Sequence, residues 1–233
     1  MYSAFGITNK YVIDGKIGDL YGYKYMRAPD GQLLIDSNGF PEVNWDSLQL
    51  AGNAFPDWTA GMTNTFSYKG IELSVLLEWK QGGKAIDMGR RNSMRNGQLK
   101  ETERRFEEVV FNGVVLNADS TYSPNTTPVQ ITPAFYRSTT YYNYAAEVLL
   151  EDASWFRIRN ISLAYSLPAS LFSKIFIKSA KVSFTANNVF LNTPFKGYDP
   201  ETNYFGSGSN IYGYTGLKTP ATRSYSFRLN IGF

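Results

Sequence analysis

The sequence predicts an all-β chain, an antiparallel transmembrane β-barrel segment of about six strands with long extracellular loops. Three observations favour this fold class. From Ser224 to Phe233, apolar and polar residues alternate over about ten positions, the length of a tilted membrane-crossing strand. Similar stretches occur upstream, and the connections between them alternate between long and short. Aromatic residues make up 16% of the chain, yet no apolar run is long enough for a membrane helix.

Composition narrows the function classes. The 233 residues carry a net charge of only +3 without a long Lys/Arg block, which argues against a nucleic-acid partner. The chain has no Cys and no His, so thiol nucleophiles, disulfides, imidazole bases and common zinc sites are excluded. We therefore expect no enzyme activity, no metal and no cofactor. The first residues lack the pattern of a secretory signal, so a membrane protein with this sequence would be incomplete at its N-terminus.

The first half of the chain contains three predicted strands. Leu20–Met26 is the first, and the turn-rich stretch 28–56 follows as a long loop. Trp58–Lys69 and the alternating stretch 71–80 come next. Lys69-Gly70 between them predicts a tight hairpin turn, since such turns favour Gly where φ is positive.

A very long connection, from Gln81 to about Ala153, follows this hairpin. Its charged first part, near 88–110, predicts a short helix. In the next predicted strand, Ser154–Leu167, the apolar residues occupy even-numbered positions at first and odd-numbered positions later. This change predicts a bulge near Arg159 or an end of the strand that projects beyond the bilayer. Arg157 and Arg159 are expected near the outer rim, as interface anchors or lipid-headgroup contacts.

Two strands complete the pattern. After the shorter connection Pro168–Ser179, apolar and polar residues alternate again over Val182–Phe190. The last long loop, Leu191–Thr222, then leads to the terminal strand. If Phe233 ends in the periplasm, both short connections lie there and every long connection lies outside.

A soluble β-rich protein is the competing interpretation, because soluble antiparallel sheets also have one wet face. Two features favour the barrel. Glu72 and Glu78 fall on the inner face of their strand, which suits a water-filled lumen better than a dry core. A compact soluble domain also rarely contains a connection as long as that between residues 81 and 153.

Four stretches carry a resemblance to a known family. They are IGDLYGY (17–23), NAFPDW (53–58) with FSYKGIEL (66–73) and QGG (81–83), LEDASWFRIRNISLAYSLP (150–168), and ANNVF (186–190) with GYDPE (197–201). In this order they resemble the C-terminal barrel segment of SusC/RagA-type TonB-dependent transporters. The terminal strand also resembles the C-terminal signal by which outer-membrane barrels are recognised by the barrel-assembly machinery, on Tyr225, Phe227, Leu229, Ile231 and Phe233.

This resemblance implies a fold, a location and partners. It implies a 22-stranded barrel with a plug, crossing the Gram-negative outer membrane many times and in contact with its lipid. It also implies TonB-driven import of oligosaccharides or peptides together with a SusD-like surface lipoprotein. Residues 1–233 would then be one piece, the C-terminal part of the barrel domain, a fragment without plug, signal peptide or TonB-binding segment. About six strands cannot close such a barrel alone.

Aromatic side chains on the predicted outer loops are the candidate ligand contacts, because sugars stack on aromatic rings. They are Tyr136, Tyr141, Tyr142, Tyr144, Tyr204, Phe205, Tyr212 and Tyr214. The competing interpretation is that they pack the loops on the barrel rim. The alternative for the whole chain is a soluble or surface-exposed carbohydrate-binding module. Strand faces distinguish the two, since a sandwich buries its apolar faces and a barrel wall turns them to lipid.

Overall fold

The computed structural model describes residues 2–172, 176–206 and 208–233. Contacts divide the chain into two compact units. The wall unit comprises residues 56–82, 153–195 and 219–233, and the loop unit comprises residues 1–55, 83–152 and 196–218.

Five long strands form the sheet of the wall unit. They are β1 (Trp58–Tyr68), β2 (Ile71–Gln81), β3 (Trp155–Ser166), β4 (Ser179–Asn192) and β5 (Ser224–Gly232). Each strand pairs antiparallel with the next one in the chain, so the sheet is an up-and-down meander. This confirms the antiparallel all-β prediction and five of the six predicted strands.

The β1–β2 hairpin has the predicted turn. Lys69 and Gly70 both have positive φ, 46° and 85°, which matches the two-residue turns that fit the twist of paired strands. The meander also places the β2–β3 and β4–β5 connections at one end of the sheet and the short connections at the other. Residues 173–175 of the β3–β4 connection lie outside the described residues, and a short 3-10 helix, Ala169–Phe172, precedes them.

The predicted bulge in β3 is confirmed. The register of β3 shifts between Ile158 and Asn160 against both β2 and β4, which leaves Arg159 at the irregularity. The extra residue keeps the apolar side chains on both sides of the bulge on the same face of the sheet. Phe156 and Ile158 before the bulge therefore share a face with Ile161 after it.

The prediction of a sixth wall strand at Leu20–Met26 is wrong. Asp19–Gly22 is a strand of the loop unit, paired with Ile7–Asn9 on one side and Gln49–Asn53 on the other. Leu20 is completely buried there. The tyrosines that suggested a longer strand continue as isolated bridges, Tyr23 with Ala145 among them.

Short elements make up the loop unit. Its strands are Tyr2–Ala4, Ile7–Asn9, Asp19–Gly22, Leu34–Ile35, Gln49–Asn53, Lys84–Asp87, Glu108–Val109, Val114–Leu116, Tyr122–Pro124, Val129–Gln130, Glu151–Asp152 and Tyr214–Thr215. Its helices are α1 (Met88–Arg95), α2 (Pro133–Arg137) and α3 (Ala146–Leu149), with a 3-10 turn at Lys100–Thr102 and a π turn at Thr139–Asn143. Helix α1 confirms the predicted short helix, and Asp87 caps it by accepting from the Arg90 backbone N–H at 2.8 Å.

Candidate functional site

The apolar face of the wall sheet is continuous across all five strands. The register aligns Phe66, Leu73, Leu163, Phe184 and Phe227 in one row, and Tyr68, Ile71, Tyr165, Val182 and Leu229 in the next. These side chains remain largely uncovered, with Phe66 65% and Phe227 71% exposed. Within the wall unit the described residues form one layer, so no second sheet packs on this face.

Aromatic residues mark both ends of this face. Trp58 begins β1 and Tyr68 ends it, ten residue steps apart on the same face. Ten steps of about 3.3 Å, tilted by about 45°, span roughly 24 Å across a membrane. That height matches the apolar band of about 25 Å between the aromatic girdles of outer-membrane barrels. Trp79 and Phe156 lie side by side near the Trp58 end, with ring centroids 5.0 Å apart.

The terminal strand contributes its predicted apolar set to this face. Tyr225, Phe227, Leu229 and Ile231 align with Ala186, Phe184, Val182 and Ala180 of β4. Phe233 follows the last strand residue and is 77% exposed. Recognition of these residues by an assembly machinery stays a prediction.

Hydrogen-bonded polar side chains cover the opposite face. The Asn160 amide donates to the Asn187 side-chain oxygen at 2.7 Å, and the Asn187 amide donates to Ser224 Oγ at 3.1 Å. The hydroxyls of Ser162 and Thr185 are 3.1 Å apart. This ladder runs across β3, β4 and β5 and satisfies polar groups that a lipid environment would leave unpaired.

Both predicted inner-face carboxylates have cationic partners on the polar face. Glu72 lies 3.3 Å from Lys181, and Glu78 lies 2.6 Å from Arg159. All four side chains are one quarter to one half exposed, which indicates contact with water. Both arginines lie on the polar face, and their predicted role as interface anchors or lipid-headgroup contacts at the outer rim stays a prediction. The register puts Arg157 opposite Glu78 on the polar face, and the bulge directs Arg159 to the same carboxylate.

The eight candidate aromatics all lie in the loop unit, where they pack against one another. Tyr214 and Tyr136 are buried, and the other six are half-buried. The Tyr214 hydroxyl donates to the Ile7 carbonyl at 2.7 Å, and its ring meets Phe205 edge-on at 5.8 Å. This packing agrees with the loop-packing interpretation. Ligand contact by these residues stays a prediction.

These aromatics make several separate ring contacts. Tyr136 and Tyr142 meet edge-on at 4.9 Å above Phe135. Tyr141 stacks on Phe40 at 4.8 Å and donates to Asp36 at 2.9 Å. The remaining contacts are Tyr204 with Phe205 at 4.9 Å, Tyr212 with Phe55 at 4.7 Å and Tyr144 with Trp45 at 5.5 Å. The aromatic residues thus supply the cores of the loop unit as well as both ends of the apolar face of the wall sheet.

Burial changes the acid–base behaviour of several loop-unit side chains. Burial raises the pKa of Tyr142 to about 12 and raises that of Tyr214 as well. Burial and the neighbouring Arg95 lower the pKa of Arg91 to about 10. The Arg91 guanidinium donates to the Asn143 side chain and lies 4.4 Å from the centre of the Phe5 ring. These groups hold helix α1 and the π turn together.

Sequence reasoning missed Trp155 as a residue of interest. Its register partner is Lys80, so its indole lies on the polar face, next to Arg157 and Arg159. The signal in the sequence is an aromatic residue at a strand position where the alternation predicts a polar one. Among the described residues, no group of three or more acidic side chains could hold a metal ion. No helix in that part of the chain is long and apolar enough to span a membrane.

Comparison with known proteins gives relatives of one kind. The chain is 25% identical to TonB-dependent receptor P3 of Formosa agariphila, with 93% of this chain and 22% of the receptor covered. It is 27% identical to TonB-dependent receptor P26 of the same organism, with 92% and 21% covered. The chain therefore spans about a fifth of the length of the curated relatives it matches. No family model matches it.

Solved structures share the fold. The RagAB peptide transporter aligns with a TM-score of 0.56 at 22% identity, over 92% of this chain and 23% of the other. The RagAB peptide importer in its open-open state aligns with a TM-score of 0.59 at 19% identity, over 97% and 24%. Both comparisons confirm the predicted resemblance to a segment of SusC/RagA-type TonB-dependent receptors.

Proposed function

We propose that this chain forms the C-terminal part of the barrel wall of a TonB-dependent importer of the SusC/RagA type. Its strands cross the outer membrane of a Gram-negative cell, and the whole barrel takes up oligosaccharides or peptides. The observation that carries this proposal is the wall sheet with one exposed apolar face and one wet, hydrogen-bonded face. The resemblance to TonB-dependent receptors supports it independently.

The apolar face is the feature that a soluble module cannot explain. Burying a large apolar side chain contributes about 1.5–3 kcal/mol relative to leaving it in water. A soluble sandwich would be stabilised in this way by a second sheet packed on the rows that contain Phe66, Leu163 and Phe227. In lipid the same side chains are already in an apolar medium, and the polar face lines a water-filled lumen.

The partners follow from the same proposal. Outer-membrane lipid contacts the apolar face, and TonB acts through a region outside this chain. A SusD-like surface lipoprotein closes the importer from outside, and the barrel-assembly machinery recognises the terminal strand. The transporter names of the relatives support a role without catalysis.

Fractionation and a gene deletion in the source organism test the proposal. An antibody against the 192–221 segment should detect, in the outer membrane, a polypeptide several times longer than this chain. Deleting the gene should abolish growth on one class of oligomeric nutrient, either glycan or peptide, and leave growth on its monomers unchanged. A soluble band of the size of this chain, with no growth defect, would contradict the importer and favour a binding module.

A further inference from the structure

A groove lies on the apolar face of the wall sheet, at the end where the long connections leave. Trp58, Trp79 and Phe156 line it, one each from β1, β2 and β3. Gln81 and Asn192, the last residues of β2 and β4, line it as well. The register places both on the apolar face, because Gln81 pairs with Trp58 and Asn192 pairs with Phe156. Four successive strands thus combine aromatic rings with two amides at the strand ends.

The groove is too small to enclose a whole soluble ligand. Its volume is about 200 Å³. Pockets that enclose drug-sized ligands measure about 300–1,000 Å³. The groove therefore suits one segment of a larger molecule whose remainder lies outside it. No carboxylate is among the described residues that line it, so it does not repel an anionic molecule.

Both amide side chains are available to such a molecule. They are exposed, and neither is hydrogen-bonded to another of the described residues. Trp58, the register partner of Gln81, begins the span of roughly 24 Å that matches the apolar band, so the amides lie at the edge of that band. An amide N–H at that depth needs an acceptor. The carbonyl oxygens from which the acyl chains of a membrane lipid extend are acceptors at the same depth.

We propose that this groove is a binding site for one diacyl lipid of the outer leaflet. An acyl chain lies against the rings of Trp58, Trp79 and Phe156, and the amides of Gln81 and Asn192 donate hydrogen bonds to the carbonyl oxygens that join the chains to the headgroup. The inference rests on the proposed function, because that function turns the apolar face to lipid and the long connections outward. It adds one defined lipid position to the general contact that the rest of the face makes.

The test compares two lipids that differ only in their carbonyl oxygens. The full-length receptor, delipidated in detergent, is titrated with dipalmitoyl phosphatidylethanolamine and followed by native mass spectrometry. Its dihexadecyl ether analogue, which has the same headgroup and chain length but no carbonyl oxygen, is titrated separately. We expect the first bound lipid to be held about threefold to tenfold more tightly when it is the ester, because each net hydrogen bond contributes modestly. Equal affinities for the two lipids would overturn the site.

Three variants locate the preference for the ester. Gln81→Leu and Asn192→Leu should each reduce it, and the ratio of the two affinities is compared within each variant, so a general loss of lipid binding does not imitate the effect. Asn64→Leu is the matched control, because Asn64 is an amide on the same face in the middle of β1. A preference that persists in both groove variants, or that Asn64→Leu also removes, would overturn the site. The growth defect of the gene deletion does not depend on this result, so the lipid site and the importer fail separately.

Discussion

The two units of this chain place their large apolar side chains in opposite ways. The loop unit follows the rule for proteins in water, with Ile7, Leu20 and Tyr214 almost completely buried in one core. The wall unit keeps its hydrogen-bonded polar side chains on one face and exposes its large apolar ones on the other. Under the proposed function this contrast reflects two solvents, lipid around the wall and water around the loops.

The largest effect is expected in the core of the loop unit. Tyr214 is 1% exposed and its hydroxyl donates to the Ile7 carbonyl, so Tyr214→Ala should destabilise this unit by about 3–5 kcal/mol. Protease digestion of intact cells should cut the variant within residues 196–218 far faster than the unmodified receptor. Tyr198→Ala removes an exposed ring and should cost under about 0.5 kcal/mol. Equal protease sensitivity of Tyr214→Ala and Tyr198→Ala would contradict the buried core.

A charge in the middle of β1 should distinguish the two faces of the wall. Met62 lies on the apolar face and Thr63 on the polar face, both near the centre of the strand. In the lipid-reconstituted receptor, Met62→Lys should cost about 2–4 kcal/mol in guanidinium unfolding. Thr63→Lys should cost under about 1 kcal/mol, because its charge stays in the wet lumen. If the two substitutions have the same effect, the faces do not meet different solvents.

Alkaline pH should destabilise the loop unit through Tyr142, which is half-buried. Burial raises the pKa of Tyr142 to about 12 from 10.0, so the folded state holds the proton more tightly than the unfolded state. This contribution to stability is fully present below pH 10 and is lost as the pH rises through about 12. Unfolding midpoints followed by near-ultraviolet circular dichroism should fall over this range, and less steeply in Tyr142→Phe. The exposed Tyr11→Phe is the control, and a slope equal to that of Tyr142→Phe would refute the assignment.

The smallest effect is expected at the Glu72–Lys181 pair. Both side chains are more than one third exposed, so Glu72→Gln should change the free energy of unfolding by at most about 1 kcal/mol. Breaking a pair in a dry interior would cost about 3–5 kcal/mol. Denaturant unfolding of the reconstituted receptor therefore tests whether the polar face is wet. A loss near the upper figure would show a dry interior behind the sheet.

The strands of the wall unit were predictable because each is specified by the pattern of its own neighbouring residues. Period-two alternation between Trp58 and Tyr68 defines both the strand and its two faces without knowledge of any partner. The Lys69-Gly70 turn and the phase change at Arg159 are equally local signals. These features placed five strands, the bulge and the positions of the short connections described in the structure.

The loop unit was not predictable in the same way, because its contacts join distant parts of the chain. The backbone N–H of Tyr25 donates to Glu147, which is 122 residues away, and Tyr214 bonds Ile7, which is 207 residues away. No local period encodes such pairings, so the strand at Leu20–Met26 was assigned to the wrong sheet. The polar-face position of Trp155 was encoded locally, by its phase before the bulge, but it did not resemble a familiar motif.

Spin-label accessibility along β1 tests the central claim most directly. Single cysteines replace residues 60–67 in turn in a cysteine-free full-length receptor, and each carries a nitroxide after reconstitution into lipid. We predict that relaxation by lipid-soluble oxygen is strongest at the even-numbered positions, which share the face of Met62. Relaxation by a water-soluble nickel chelate should be strongest at the odd-numbered positions, which share the face of Thr63. Loss of this alternation, or the same response to both reagents along the strand, would contradict a wall between lipid and water.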